Sequence, residues 1–236
     1  MTNITSKHVE LKVDDGTTML AWVAEPAGQK ITRGIMVFPE IFGVNPHIRD
    51  VTNRFAGLGL VAISPELFHR TAPPKWECAY TDFASAMPHM QATKEAGLES
   101  DVKATYQWLK SNTPVGDNIA CVGYCMGGRT SFLANSAVPL KAAISYYGGS
   151  MPGLLHRTAN LSAPMMLFWG ERDSHIPVEH RNQVMASMRD AKKEYIDVVF
   201  SNADHGFFCD ARQSYEPNSA KQSWDMVQSF LNARLA

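Results

Sequence analysis

Cys125 stands in the segment Gly123-Tyr124-Cys125-Met126-Gly127-Gly128, after an apolar run at residues 119–122 and before a stretch of small residues. A side chain between two glycines, where a strand turns into a helix, occupies a nucleophile's position. It is the G-x-S-x-G elbow with Cys in place of Ser. The glycines have a steric purpose: the tight turn presses its flanking positions against neighbouring backbone, where a Cβ would collide. The turn also projects the sulfur from the carboxyl edge of a sheet and sets it at a helix N-terminus. The partial positive charge there favours thiolate over thiol. With 16 Gly and 4 Cys in 236 positions, chance supplies only about 0.02 such segments.

A nucleophile of this kind needs a base and a group that orients the base. On this elbow they follow in the chain order nucleophile, acid, histidine. Asp173 ends Gly170-Glu171-Arg172-Asp173, just past an apolar run at 165–169. His205 lies in Ser201-Asn202-Ala203-Asp204-His205-Gly206-Phe207, just past a run at 194–200. Each thus sits at the carboxyl end of its own strand, the edge where open α/β sheets bind ligands. Glu171 and Asp204 compete with Asp173 for the orienting role, and His175 is close enough in sequence to line the same site. The remaining histidines show no metal-ligand spacing. Glu40 adds a further carboxylate in Pro39-Glu40-Ile41-Phe42-Gly43-Val44-Asn45. The loop after that strand usually supplies an oxyanion-hole N–H. Its acid reads either as solvated or as aimed inward at the thiol.

These residues need a scaffold that brings strand ends together. Apolar or β-branched runs predict strands at 8–13, 19–24, 34–38, 60–64, 119–122, 142–146, 165–169 and 194–200. The first two flank Asp14-Asp15-Gly16, a turn sequence, and read as an antiparallel hairpin. Most later runs are apolar on both faces, as in strands covered by helices on both sides. Helices are predicted at 46–58, 95–112, 126–137, 178–191 and 219–233. Asn45 is an N-cap with Pro46 at the first helical position, and Leu98, Val102, Thr105, Tyr106 and Leu109 fall on one face. The alternation defines an α/β fold: a mostly parallel twisted sheet of about eight strands, helices on both faces and an N-terminal antiparallel hairpin. No repeat or linker divides the chain, so one domain is expected over residues 1–236. Residues 67–94, which include Pro73-Pro74, read as an excursion forming a lid or pocket wall.

Composition bounds the alternatives. A net charge of −1 argues against a dedicated nucleic-acid binder. The longest stretch free of charge and histidine has 14 residues, 142–155, too short to span a bilayer. The first residues lack a basic patch followed by an apolar run, so no secretory leader is expected. Four cysteines without a CxxC pair fit a reducing cytoplasm and no disulfide framework. Gly57-Leu-Gly59-Leu-Val-Ala62 matches a dinucleotide fingerprint but precedes a strand, whereas the true fingerprint follows one.

Taken together, the chain resembles the dienelactone hydrolase (carboxymethylenebutenolidase-like) family of the α/β-hydrolase fold. The likeness runs through the Glu40–Asn45 loop, Pro65-Glu66-Leu67-Phe68, the elbow, Tyr146-Tyr147-Gly148, the segment 170–173 and His205-Gly206-Phe207. It implies a triad of Cys125, Asp173 and His205, an oxyanion hole from the N–H groups of Ile41 and Met126, and Glu40 as the carboxylate that gates the thiol. The family's best-known substrate is a carboxylate-bearing enol-lactone held by arginines, one of them four residues after the catalytic histidine. That position is Cys209 here, a departure. Arg70 and Arg212 are the nearby substitutes, and Tyr147 and Phe42 are further substrate-binding candidates. The function expected is cysteine-dependent hydrolysis of small activated esters or lactones through a thioester, with no cofactor or metal. The alternatives are a broader carboxylesterase or thioesterase, or a thiol redox-sensing or binding protein on the same scaffold. The partner expected is a small molecule rather than nucleic acid or membrane, acting on a monomer or small homo-oligomer.

Overall fold

The computed structural model describes residues 3–28 and 30–235. The chain opens with a hairpin of β1 (Ile4–Lys12) and β2 (Thr18–Pro26), turned at Gly16, whose φ of +87° suits glycine. There follow β3 (Gly34–Phe38), α1 (Pro46–Gly57), β4 (Val61–Pro65), α2 (Phe83–Ala92), α3 (Glu95–Asn112), β5 (Ile119–Tyr124) and α4 (Met126–Ala137). The chain then forms β6 (Ala142–Tyr146), a 3-10 helix (Met151–Asn160), β7 (Met165–Gly170), α5 (Val178–Asp190), β8 (Tyr195–Phe200) and α6 (Pro217–Arg234).

The strands form one sheet in the order β1-β2-β4-β3-β5-β6-β7-β8. The β1–β2 and β2–β4 pairs are antiparallel and every later pair is parallel. Every residue of β3, β4, β5 and β6 is buried. Successive side chains in a strand point to opposite faces, so both faces of the sheet centre are covered. This is the mostly parallel sheet with an N-terminal antiparallel hairpin that the apolar runs predict, and the α/β-hydrolase architecture that the family resemblance implies.

The strand order fixes where a site can form. After β3 the chain moves outward to β4, then returns to place β5 on the other side of β3. Loops leaving the carboxyl ends of β3 and β5 therefore diverge, and the crevice between them is the usual ligand position in such sheets. Phe38 and Gly123 are register partners, so the Glu40 loop and Cys125 emerge side by side.

Two elements escape the periodicity. The excursion contains α2, capped by the Asp82 side chain on the Ser85 N–H, although Pro88 lies inside it. The segment after β6 forms the 3-10 helix despite Pro152 and Gly153. β1 also starts at Ile4, four residues before its predicted start, paired with Pro26 on an exposed outer strand. Among the described residues no helix is long and apolar enough to cross a membrane.

Candidate active site

The elbow is built by steric demand. Cys125 adopts φ +54°, ψ −114°, a left-handed conformation that costs a non-glycine residue on the order of 1–3 kcal/mol. Its N–H donates to the Tyr146 carbonyl at 3.0 Å, and its carbonyl accepts from Gly128 N at 2.9 Å. A Cβ on Gly123 would fall on the Gly127 carbonyl, and one on Gly127 would fall on the Phe38 carbonyl. The backbones of β3, β5 and α4 therefore meet at a spacing only glycine permits. Below, Tyr124 stacks on Tyr146 at 4.9 Å, and Tyr146 on Phe168 at 4.6 Å. This aromatic layer supports three strand ends at once.

Cys125 is the N-cap of α4 and half-buried. The His205 imidazole lines the same cavity and lies close enough for the sulfur's charge to act on its titration. His205 Nδ1 meets Asp173 Oδ2 at 2.8 Å, which leaves Nε2 for the sulfur. Asp173 is held in turn, its Oδ1 accepting from His175 N at 2.8 Å and Ile176 N at 3.1 Å. Of the competing acids, Asp204 accepts the His205 backbone N–H at 2.6 Å, and Glu171 is exposed. Burial lowers the His205 pKa, but the charge of Cys125, the Asp173 carboxylate and their hydrogen bonds outweigh it and raise it to about 10.

A cavity of about 290 Å³ opens over the sulfur, near the small end of ligand clefts. Ile41, Phe42, Met126, His175, His205 and Arg212 line it, together with Phe83, Met87 and Met90 of α2, and the Phe42 and Phe83 rings meet edge-on at 5.3 Å. The excursion thus contributes to the pocket. Met126 opens α4, where its N–H has no intrahelical acceptor, and Ile41 N–H makes no hydrogen bond among the described residues. His175 packs edge-on to His205 at 5.0 Å.

Glu40 points inward and is 1 % exposed, but its partner is Arg212, whose Nη1 donates to Oε1 at 3.0 Å. Burial opposes the Arg212 charge, yet Glu40 more than offsets this and raises its pKa. Tyr147 is fully buried with φ +37° and does not line the cavity. Its ring instead packs 5.1 Å from His205. Arg70 lies elsewhere. Its guanidinium binds Asp15 at 2.7 Å and both oxygens of buried Asp101 at 2.8 and 2.9 Å. Neutralising that carboxylate, which also meets His69 Nε2 at 3.0 Å, keeps Arg70 out of the pocket.

Sequence reasoning passed over Arg129, which lines the cavity one turn after Cys125. Helical i,i+4 spacing was the available signal. A second His/Cys/Asp group also forms: His47, Cys209 and Asp210 each place one atom within 4.8 Å of the others. Asp210 there is shared by His47 at 3.1 Å and Arg54 at 3.1 Å. Burial and the Glu40 charge push the Cys209 thiol up to about 12. None of the three lines the cavity over Cys125.

A central parallel sheet with an elbow cysteine at its carboxyl edge places the protein in the α/β-hydrolase class. The comparisons narrow that class. The dienelactone hydrolase family model matches residues 19–235. A Synechocystis protein named "Putative carboxymethylenebutenolidase" is 32% identical over 225 residues, covering 91% of each chain. A Salmonella typhimurium protein of the same name is 30% identical over 223 residues, 90% of this chain and 82% of its own. The Klebsiella pneumoniae crystal structure of a "Putative Dienelactone Hydrolase" superposes with a TM-score of 0.87 at 28% identity, covering 98% of this chain and 99% of that one. The chain belongs to the dienelactone hydrolase family, and so to the hydrolases of carboxylic ester bonds.

Proposed function

We propose that the protein hydrolyses small activated esters or lactones through a thioester on Cys125. The carrying observation is that Cys125 and His205 line one cavity while His205 Nδ1 meets Asp173 Oδ2 at 2.8 Å. The thiolate attacks the acyl carbon, and the carbonyl π pair moves onto oxygen. The N–H groups of Ile41 and Met126 receive that oxyanion, a donor worth about 10²–10³ in rate. Collapse expels the enolate or alkoxide, which takes its proton from the imidazolium or water. His205 then removes a proton from water as its oxygen attacks the thioester. The acid leaves and the thiolate returns. Asp173 holds the imidazole with Nε2 toward the reacting atoms. Where the resting sulfur is a thiol, Glu40, with Oε2 unpartnered, is the carboxylate proposed to take its proton when substrate displaces Arg212 and to return it to the sulfur once the acid has left.

The test uses p-nitrophenyl acetate with the wild type, Cys125→Ala and His205→Ala. The reading expects both variants to lose activity and the wild type to gain an acetyl mass on Cys125. Equal hydrolysis by all three overturns it. Metal and cofactor dependence is checked by chelation and dialysis, with undiminished activity expected.

A further inference from the structure

His47, Cys209 and Asp210 bring an imidazole, a thiol and a carboxylate together from two distant parts of the chain. His47 stands in the first turn of α1, and Cys209 and Asp210 lie between β8 and α6, with 163 positions separating His47 from Asp210. One ligand atom of each lies within 4.8 Å of the other two. Among the described residues no other three His, Cys, Asp or Glu side chains converge in this way. The backbone presets both arms. Asn45 caps α1 by accepting the Ile48 N–H at 3.1 Å. The Cys209 N–H donates to the Gly206 carbonyl at 2.9 Å, and the Cys209 carbonyl accepts from Arg212 N at 3.1 Å.

Internal bonds do not satisfy the cluster. His47 Nδ1 meets Asp210 Oδ1 at 3.1 Å, yet Nε2 is buried without a hydrogen-bond partner, in a side chain only 4 % exposed. A buried polar atom left unpaired is costly. With Nδ1–H turned to Asp210, Nε2 carries the free lone pair through which imidazoles ligate metals. Charge points the same way. Asp50 and Asp210 share one guanidinium, that of Arg54, at 2.6 and 3.1 Å, which leaves one carboxylate charge in excess. A Cys209 thiolate makes two, and a divalent cation neutralises both. A thiol that coordinates a metal gives up its proton, here to solvent, so a buried sulfur still serves as a ligand. Arg54 holds Asp210 through Oδ2, the outer hydrogen bond that metal-binding carboxylates commonly have.

We propose that His47, Cys209 and Asp210 form a zinc site outside the catalytic cavity. One sulfur, one imidazole and one carboxylate suit Zn²⁺, with a water as fourth ligand entering past the half-exposed Asp210. Tetrahedral bonds of about 2.0–2.3 Å set ligand atoms about 3–4 Å apart, so the three side chains draw in by about 1 Å. The bound ion ties α1, which follows the loop of Glu40 and Ile41, to the segment that carries His205 and Arg212. It thereby clamps two sides of the catalytic opening without touching Cys125, since none of its three ligands lines that cavity. The site does not depend on which group cleaves the ester.

The experiment titrates the chelator-stripped full chain with Co²⁺, which reports sulfur ligation by a thiolate-to-metal charge-transfer band and four-coordination by intense visible bands. Both are expected to saturate at one ion per chain and to vanish when Zn²⁺ is added. Cys209→Ser should abolish the charge-transfer band, and Asp210→Asn, at a half-exposed side chain, should weaken binding by about 10-fold or more. Cys125→Ala should keep the band. A band lost in Cys125→Ala and kept in Cys209→Ser puts the ion on the elbow thiol and overturns the site, as does a wild type without the band. Stability gives a second reading. Zn²⁺ should raise the urea midpoint of the wild type and of Cys125→Ala but not that of Asp210→Ala, because an ion held only by the folded chain stabilises it. A zinc-dependent rise that persists in Asp210→Ala also overturns the proposal.

Discussion

Glu40 and Arg212 lie 172 positions apart in the chain, yet Glu40 Oε1 and Arg212 Nη1 meet at 3.0 Å. The carboxylate side chain is 1 % exposed and the guanidinium 12 % exposed. The Arg212 guanidinium passes over Gly206, where a Cβ would press on Nη1 and Cζ, and it faces the rings of Phe42 and Tyr80 at 5.8 and 5.6 Å. Removing one member of such a pair strands a buried charge. Arg212→Met is expected to destabilise the protein by about 3–5 kcal/mol. Adding Glu40→Gln should recover a substantial part of that loss, because the stranded charge goes with it. Urea unfolding of the two single variants and the double variant measures the coupling. A cost under about 1 kcal/mol for Arg212→Met would show that the carboxylate does not depend on this partner.

The orienting acid can be assigned by comparing two carboxylates near one strand end. Asp173→Asn keeps an oxygen for the His175 and Ile176 amides but presents an N–H donor or the wrong tautomer to the imidazole. The expected loss in kcat is about 10²–10⁴ with little loss of stability. Glu171, exposed at the start of the same turn, makes no side-chain hydrogen bond or ion pair among the described residues, so Glu171→Ala should retain wild-type kcat. Steady-state rates on p-nitrophenyl acetate decide. A large loss in the Glu171 variant with a small one in the Asp173 variant would exchange the roles.

Protonation of His205 reports the pair directly. Its folded-state pKa of about 10 lies above the 6.5 of a free imidazole. A raised value means that the imidazolium's contribution to stability is complete below about pH 6.5 and is lost as pH rises through about 10. Cys125 and Asp173 supply the upward pull, against burial. An NMR titration of the imidazole should therefore give a high midpoint in the wild type. Cys125→Ser and Asp173→Asn should each lower it, since each removes a raising cause and leaves the burial. A Cys125→Ser midpoint equal to that of the wild type would mean that the sulfur does not carry the interacting charge.

Legibility divided along physical lines. Buried parallel strands must be apolar on both faces, so β3 and β6 were readable to the residue and β5 nearly so. The elbow was readable because close backbone contact admits only glycine at 123 and 127. Asp173 and His205 were placed by chain order and strand ends, since topology brings those ends together. Helix α2 was not readable, because Pro88 lies inside it and only Ala86 is buried, with Met87, His89 and Met90 half-buried, too few positions to make a periodic stripe. Arg70 was named as a substrate-binding candidate and Arg129 passed over for one reason: sequence proximity does not tell which arginine pairs with a carboxylate elsewhere. Arg70 pairs with Asp101, 31 positions on, whereas Arg129 makes no ion pair among the described residues and has Cys125 and Glu95 as its nearest charges.

The glycines of the elbow make the sharpest stability contrast. A Cβ at Gly127 would overlap the Phe38 carbonyl, and that backbone cannot retreat because β3 is paired on both sides, with β4 and β5. Relief requires α4 to lift off the sheet, carrying Cys125 and the Met126 N–H with it. Overpacking ordinarily costs about 1–3 kcal/mol, and a backbone-on-backbone clash lies at or beyond the top of that range. Gly127→Ala is thus expected to lose about 3 kcal/mol or more, together with esterase activity. Gly57 supplies the counterpart at the exposed end of α1, where an added Cβ meets only Ile4 Cδ1 at 3.8 Å. There alanine should be neutral or stabilising by about 0.5–1 kcal/mol through helix propensity. Urea midpoints for the two alanine variants test the contrast, and a Gly127→Ala protein as stable and active as Gly57→Ala would refute the close approach of β3 to the elbow.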